Sequence, residues 1–187
     1  MSMPAEQGRH YTILEYLEME RASEMKHEYA NGEIYDMAGG TRQHSLITMN
    51  TGGEIRSALK GKSCRVYDSN LRVRIPRSPY YMYPDLSVVC HELEFDQVDV
   101  NRETITNPTV LIEVLSKSTE GYDRGGKFRQ YHKINTLREY VLISQEMRAV
   151  ETYFLDHDGR WVIDSFEGCE GTLFLKSLGI RIQLAEI

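Results

Sequence analysis

The sequence has no apolar run longer than a few residues, no cysteines at CxxC or zinc-ligand spacing, and no surplus of positive charge. Each gap closes a class of protein. A membrane-spanning helix needs about 20 consecutive apolar residues, so none is expected. The three cysteines, Cys64, Cys90 and Cys169, are an odd number, and Cys90 closes the apolar run that begins at Leu86. We therefore expect reduced, structural thiols and a cytoplasmic protein. With 22 Lys and Arg against 28 Asp and Glu, the formal charge is -6, which excludes a blanket basic coat for nucleic acid but not a local basic groove. Met1 to His10 carries Glu6 and Arg9 without an apolar stretch, which is not the pattern of a signal peptide. GxSxG, HExxH and Walker-type loops are also missing, which leaves a small-molecule hydrolase without support.

What is there suffices for a core. Hydrophobic residues make up 41% of 187, and no Pro/Gly/Ser linker divides the chain, so residues 1–187 are expected to form a single domain. Thr12-Ile-Leu-Glu15 has the form of a capping box opening a short helix to about Glu20. Asn31-Gly32 supplies a hairpin turn between two short strands. A helix is expected from Thr41 to about Leu59, with apolar Leu46, Met49 and Ile55, although Gly52-Gly53 weakens it by about 1 kcal/mol per glycine. Leu71–Ile75 alternates, with Arg72 and Arg74 on one face, where they would grip a phosphate backbone or face solvent. Tyr80, Tyr81 and Tyr83 precede Pro84 in a loop that would pack on the core or stack a base. Leu86–Cys90 and Val110–Leu115 are nearly unbroken apolar runs, as expected of central strands. Arg124 to Ile134 reads as a helix burying Phe128, Tyr131 and Ile134; Glu139–Ile143 is a strand, and a second hairpin turns at Asp156–Gly159. The fold class is α/β, with a mixed central sheet flanked by helices and extra β-hairpins.

Two acids break this pattern. Glu113 is the one polar residue in Val110–Leu115, and a buried carboxylate requires a metal, a cation or a proton. Asp85 opens the other apolar strand. If the two strands pair, both carboxylates converge at one sheet edge, a setting for Mg²⁺ or Mn²⁺ with water and substrate phosphate completing the shell. A buried ion pair for Glu113 and a strand-start Asp85 is the plainer alternative. From Leu115 to Tyr140 six bases face three acids, and Lys117, Arg124 and Arg129 are candidates for nucleic-acid contact; from Tyr80 to Glu113 one base faces seven acids.

Pro84-Asp85, Glu113 within Leu111-Ile-Glu-Val-Leu-Ser-Lys-Ser-Thr119, and Asp123-Arg-Gly-Gly-Lys127 followed by Tyr131 resemble the Uma-two branch of the PD-(D/E)xK nuclease superfamily. Tyr29-Ala-Asn-Gly-Glu33-Ile and His44 also fit its pattern. The superfamily's lysine stands two residues after the Glu, where this chain has Leu115; in this branch it moves to the following helix, which nominates Lys127. The resemblance implies a restriction-endonuclease-like fold and a metal-dependent endonuclease acting on DNA. Asp85 and Glu113 would be metal ligands, Lys127 the catalytic cation and Glu33 an accessory acid, with Glu28 on the same hairpin face a rival for that role. His44 would be a general base, a DNA contact or simply a capping or exposed residue. Two-fold cleavage of duplex DNA would suit a homodimer. The alternative function is a catalytically silent module binding nucleic acid or a protein partner, which Leu115 and the acidic balance favour.

Overall fold

The computed structural model describes residues 9–37 and 39–187; most of the leader reading of Met1 to His10 lies outside them. Helix α1 (Ile13–Ala22) starts at the expected capping box: Thr12 Oγ1 accepts from the Glu15 N–H, and the Glu15 carboxylate takes the Thr12 N–H in return. Thr12→Ala removes one of these bonds and is expected to cost about 1 kcal/mol in urea-unfolding measurements. Strands β1 (His27–Ala30) and β2 (Glu33–Asp36) form the expected hairpin, with Asn31 and Gly32 at φ 52° and 96°.

Helix α2 (Arg42–Ala58) runs unbroken through Gly52-Gly53, but its buried face is Ile47, Thr51 and Ile55. Leu46 and Met49, two of its apolar residues, are 53% and 71% exposed. One reason is Gly52, which lets the helix close on Leu86; a Cβ there would lie 3.3 Å from the Leu86 Cδ2. Gly53 meets nothing within 4 Å. Gly53→Ala is therefore expected to stabilise the chain by about 0.5–1 kcal/mol, read as a higher urea midpoint.

Two sheets follow. The first joins β2 and β1 to β5 (Tyr80–Met82), β4 (Arg72–Arg74) and β7 (Thr104–Ile105) in the order β2-β1-β5-β4-β7. The second holds β3 (Arg65–Asp68), β6 (Leu86–Val89), β8 (Val110–Leu115), β9 (Glu139–Ser144), β10 (Ala149–Leu155) and β11 (Trp161–Glu167) in the order β11-β10-β9-β8-β6-β3. A short pair, β12 (Thr172–Leu175) and β13 (Ile180–Gln183), closes the tail. Strand β8 is parallel to β9 and antiparallel to β6, so the central sheet is mixed. Helix α2, the tail pair and one face of that sheet share a core including Ile55, Val88, Ile112, Val141 and Leu173.

Two expectations fall here, and a third is half met. Arg72 is 1% exposed and bonds Thr104, Tyr83 and Asp99, while Arg74 pairs with Asp96; neither solvent nor phosphate holds them, because acids from the β7 approach reach over their strand. Tyr81 and Tyr83 are buried, so this cluster packs on the core, one of its two expected roles, although Tyr80 to Met82 do so as strand β5 and not as a loop. Cys64 and Cys90 are disulfide-bonded, leaving only Cys169 free among the described cysteines. The β3–β6 register sets Arg65 opposite Val89, so the next position outward brings Cys64 to Cys90. Unpaired thiols thus no longer argue for a reducing compartment. Among the described residues no helix is long and apolar enough to cross a membrane.

Candidate active site

The β6–β8 register sets Leu86 opposite Ile112, so Asp85, just before β6, and Glu113, within β8, fall side by side where the pairing of the two strands ends. The Val114 N–H donates to Asp85 Oδ2 at 2.7 Å, fixing that carboxylate against β8. The loop leaving β8 enters a π-helical segment (Tyr122–Lys127) that runs into α3 (Phe128–Tyr131), so the helix begins ahead of the expected Arg124. Such wide turns recur at functional sites. This one carries Lys127 back over the sheet, where its Nζ lies 3.0 Å from Glu113 Oε1, 3.3 Å from Asp123 Oδ1 and 3.6 Å from Glu28 Oε1.

Asp85, Glu113 and Lys127 thus line one cavity of about 320 Å³, together with Glu28, His44 and Asp123. Burial opposes the charge on Lys127, but Glu113, Glu28 and Asp123 outweigh it and hold the ammonium well above its usual range. The same burial pushes Glu113 up to about 8, with Asp85, Asp123 and Glu28 adding to the push and Lys127 opposing it. One ammonium does not settle that much negative charge, and a further cation would.

Among the described residues, no group of three or more His, Cys, Asp or Glu forms a ready metal cage. Two carboxylate oxygens nevertheless fit a hard divalent ion. Asp85 Oδ2 is taken by Val114 and His44, and Glu113 Oε1 by Lys127 and Tyr131. Among the described residues, Asp85 Oδ1 and Glu113 Oε2 accept no hydrogen bond. One or two carboxylates, with water and phosphate for the rest, are a usual protein share of a Mg²⁺ shell.

Other candidates fall elsewhere. Glu33 does not line the cavity; it accepts from the hydroxyl of Tyr35, which does. Glu28 takes the place expected of Glu33, held by the Tyr83 N–H at 3.1 Å. Lys117 and Arg124 flank a neighbouring depression of about 580 Å³, but Lys117 pairs with Glu146, and Arg124 with Glu120 and Glu151. Arg129 is exposed on α3. His44 is more than a cap residue: its Nε2 lies 3.0 Å from Asp85 Oδ2, and that bond raises its pKa against the opposing effect of burial.

Sequence reasoning missed Asp123 as a partner of Lys127 and Tyr131 as a donor to Glu113 at 2.9 Å. The signal was in reach, because positions 123, 127 and 131 repeat every four residues and share one helical face.

A mixed sheet that gathers two carboxylates from neighbouring strands under a helix-borne lysine belongs to the restriction-endonuclease-like class of folds. The family model described as "Uma2: Putative restriction endonuclease" matches residues 13–185, and the chain belongs to that family. An uncharacterized protein of Synechocystis sp. is 37% identical over 166 residues, 89% of this chain and 85% of that protein. A second from the same organism is 34% identical over 157 residues, 84% of this chain and 88% of the relative. A crystal structure from Anabaena variabilis, described as "a putative nuclease belonging to DUF820", shares the fold with a TM-score of 0.70 at 19% identity, covering 88% of this chain and 90% of that one.

Proposed function

We propose that the protein is a metal-dependent endonuclease that hydrolyses DNA phosphodiester bonds, with Mg²⁺ or Mn²⁺ held by Asp85 and Glu113. The observation that carries this is the pair of unclaimed carboxylate oxygens on neighbouring strands, Asp85 just before β6 and Glu113 within β8, beside a buried lysine. A divalent cation there would lower the pKa of a water and offset phosphate charge. Lys127, kept protonated by its carboxylate neighbours, is suited to steady the negative charge that builds on the phosphate in the transition state. Glu28 anchors Lys127 from the hairpin side, and His44 holds Asp85 from α2. Glu33 has at most an indirect part, through Tyr35. Lys117, Arg124 and Arg129 would contribute a weak, salt-sensitive grip on the phosphate backbone. A cytoplasmic setting belongs to this reading through its DNA substrate.

The test is plasmid nicking at low salt with Mg²⁺ or Mn²⁺, comparing the wild type with Asp85→Ala. Cleavage that disappears in EDTA and in the variant is the expected result. Cleavage that survives the substitution would overturn the assignment of Asp85. A folded wild type that neither cuts nor binds Mn²⁺ would leave a nuclease fold acting as a binding module.

A further inference from the structure

Two half-exposed tyrosines stand at the mouth of the acid cluster. Tyr35 is 50% exposed and Tyr122 44%, and both line the cavity that holds Asp85, Glu113 and Lys127. Nearby Tyr81, Tyr131 and Tyr140 instead spend their rings on the core. Among the described residues, neither Tyr35 nor Tyr122 touches another aromatic ring or lies beneath a cation, whereas Tyr81 and Tyr140 do both or one of these.

The two rings are held in place. Tyr122 lies against Gly126, where an added Cβ would fall 2.3 Å from the ring Cδ2 and 2.5 Å from Cε2, so a side chain at 126 would displace the ring. Tyr35 is tied by its hydroxyl to Glu33. The basic residues nearby offer little to a phosphate backbone, since Lys117 and Arg124 are already paired with acids and the whole chain carries -6. Affinity for a polyanion needs another source. An exposed aromatic face supplies one, because every nucleobase has a π-face and stacking on a side chain is tolerant of sequence. In an intact duplex those faces are hidden by neighbouring base pairs.

The geometry points to a stacking site for unpaired nucleobases, in which Tyr35 and Tyr122 receive the bases flanking the scissile phosphate. The preferred substrate is then single-stranded or frayed nucleic acid rather than continuous duplex. This rests on the nuclease reading above and narrows its substrate. Burial, with Glu28 and other tyrosines adding to it, pushes the Tyr122 hydroxyl up to about 12, so the ring meets its ligand uncharged.

The experiment is fluorescence anisotropy of the full chain in Ca²⁺, with a fluorescein-labelled single strand and a blunt duplex of the same sequence. The single strand is expected to bind more tightly. Tyr122→Ala and Tyr35→Ala should each weaken single-strand binding by about 5- to 150-fold, the equivalent of about 1–3 kcal/mol per stacked base, and leave duplex binding unchanged. Tyr122→Phe keeps the ring and should bind as the wild type does. Duplex bound as tightly as single strand, or alanine variants that bind the single strand undiminished, would overturn the stacking site. EDTA-sensitive nicking is read separately on the same proteins. Tyrosine-dependent binding by a chain that never cuts would sink the nuclease reading and support the stacking site. Cutting with tyrosine-independent binding would do the reverse.

Discussion

Lys127→Met and Glu113→Gln are expected to abolish cleavage alike while moving stability in opposite directions. Lys127 is buried with three carboxylates within 3.6 Å of its ammonium. Removing it strands buried negative charge, and breaking a buried pair from one side costs about 3–5 kcal/mol. Glu113→Gln does the opposite: it removes one charge from an over-acidic cluster and leaves a carbonyl oxygen to accept from Lys127 and Tyr131. That variant should be as stable as the wild type or more so. Its pH profile carries the sign. A carboxyl raised to about 8 binds its proton more tightly folded than unfolded, so its contribution is complete below the ordinary value of 4.5 and is lost as pH rises through 8. Urea-unfolding curves across that window should show wild-type stability falling with pH and the Glu113→Gln slope flattened. A Glu113→Gln variant that unfolds more easily than the wild type at neutral pH would show that the cluster is not over-charged. For cleavage, loss of either group should reach several powers of ten, at about 1.4 kcal/mol of transition-state stabilisation for each tenfold.

Much of this site was legible in the sequence because burial makes a lone polar residue conspicuous. Glu113 stood out in Val110–Leu115, and Asp85 followed once the two apolar runs were read as neighbouring strands. Turn and cap chemistry was equally local: Thr12 with Glu15, and Asn31 with Gly32, gave their elements away within four residues. What failed was whatever depends on register or on a third element. Glu28 and Glu33 share a hairpin face, and the choice between them is made by β5, whose following Tyr83 N–H anchors Glu28. The disulfide needed the β3–β6 alignment. The inward face of α2 turned on Gly52 closing against Leu86, which periodicity alone does not see. Tyr35 and Tyr122 were passed over because single tyrosines in short segments do not show in the sequence which of them stay exposed.

Asp99→Ala, outside the cavity of Asp85, Glu113 and Lys127, is expected to be among the most damaging substitutions in the chain. Arg72 has no access to water: its Nη2 donates to Asp99 at 3.0 Å, its Nε to Thr104 at 2.7 Å and its Nη1 to the Tyr83 hydroxyl at 3.1 Å. Tyr83 in turn donates to Glu20, which holds His27 at 2.8 Å, so one network ties α1, β1 and β4 to the segment that delivers Asp85. Losing the Asp99 carboxylate leaves a buried guanidinium without its counter-charge, at about 3–5 kcal/mol. Burial alone would raise the Asp99 pKa, but the Thr104 hydroxyl and Arg72 outweigh it and hold the group below its usual value. A depressed carboxyl contributes stability that is present above its unfolded value of 3.8 and is lost as pH falls through the folded one. Wild-type stability in urea should therefore fall as pH drops into the acid range, and Asp99→Asn should lose that dependence along with much of its stability at neutral pH. Because Tyr83 lies two residues before Asp85, the same variant should also cut more slowly than its folded fraction accounts for. An Asp99→Asn protein with unchanged acid unfolding and full activity per folded molecule would show that the buried arginine neither stabilises the sheet nor positions Asp85.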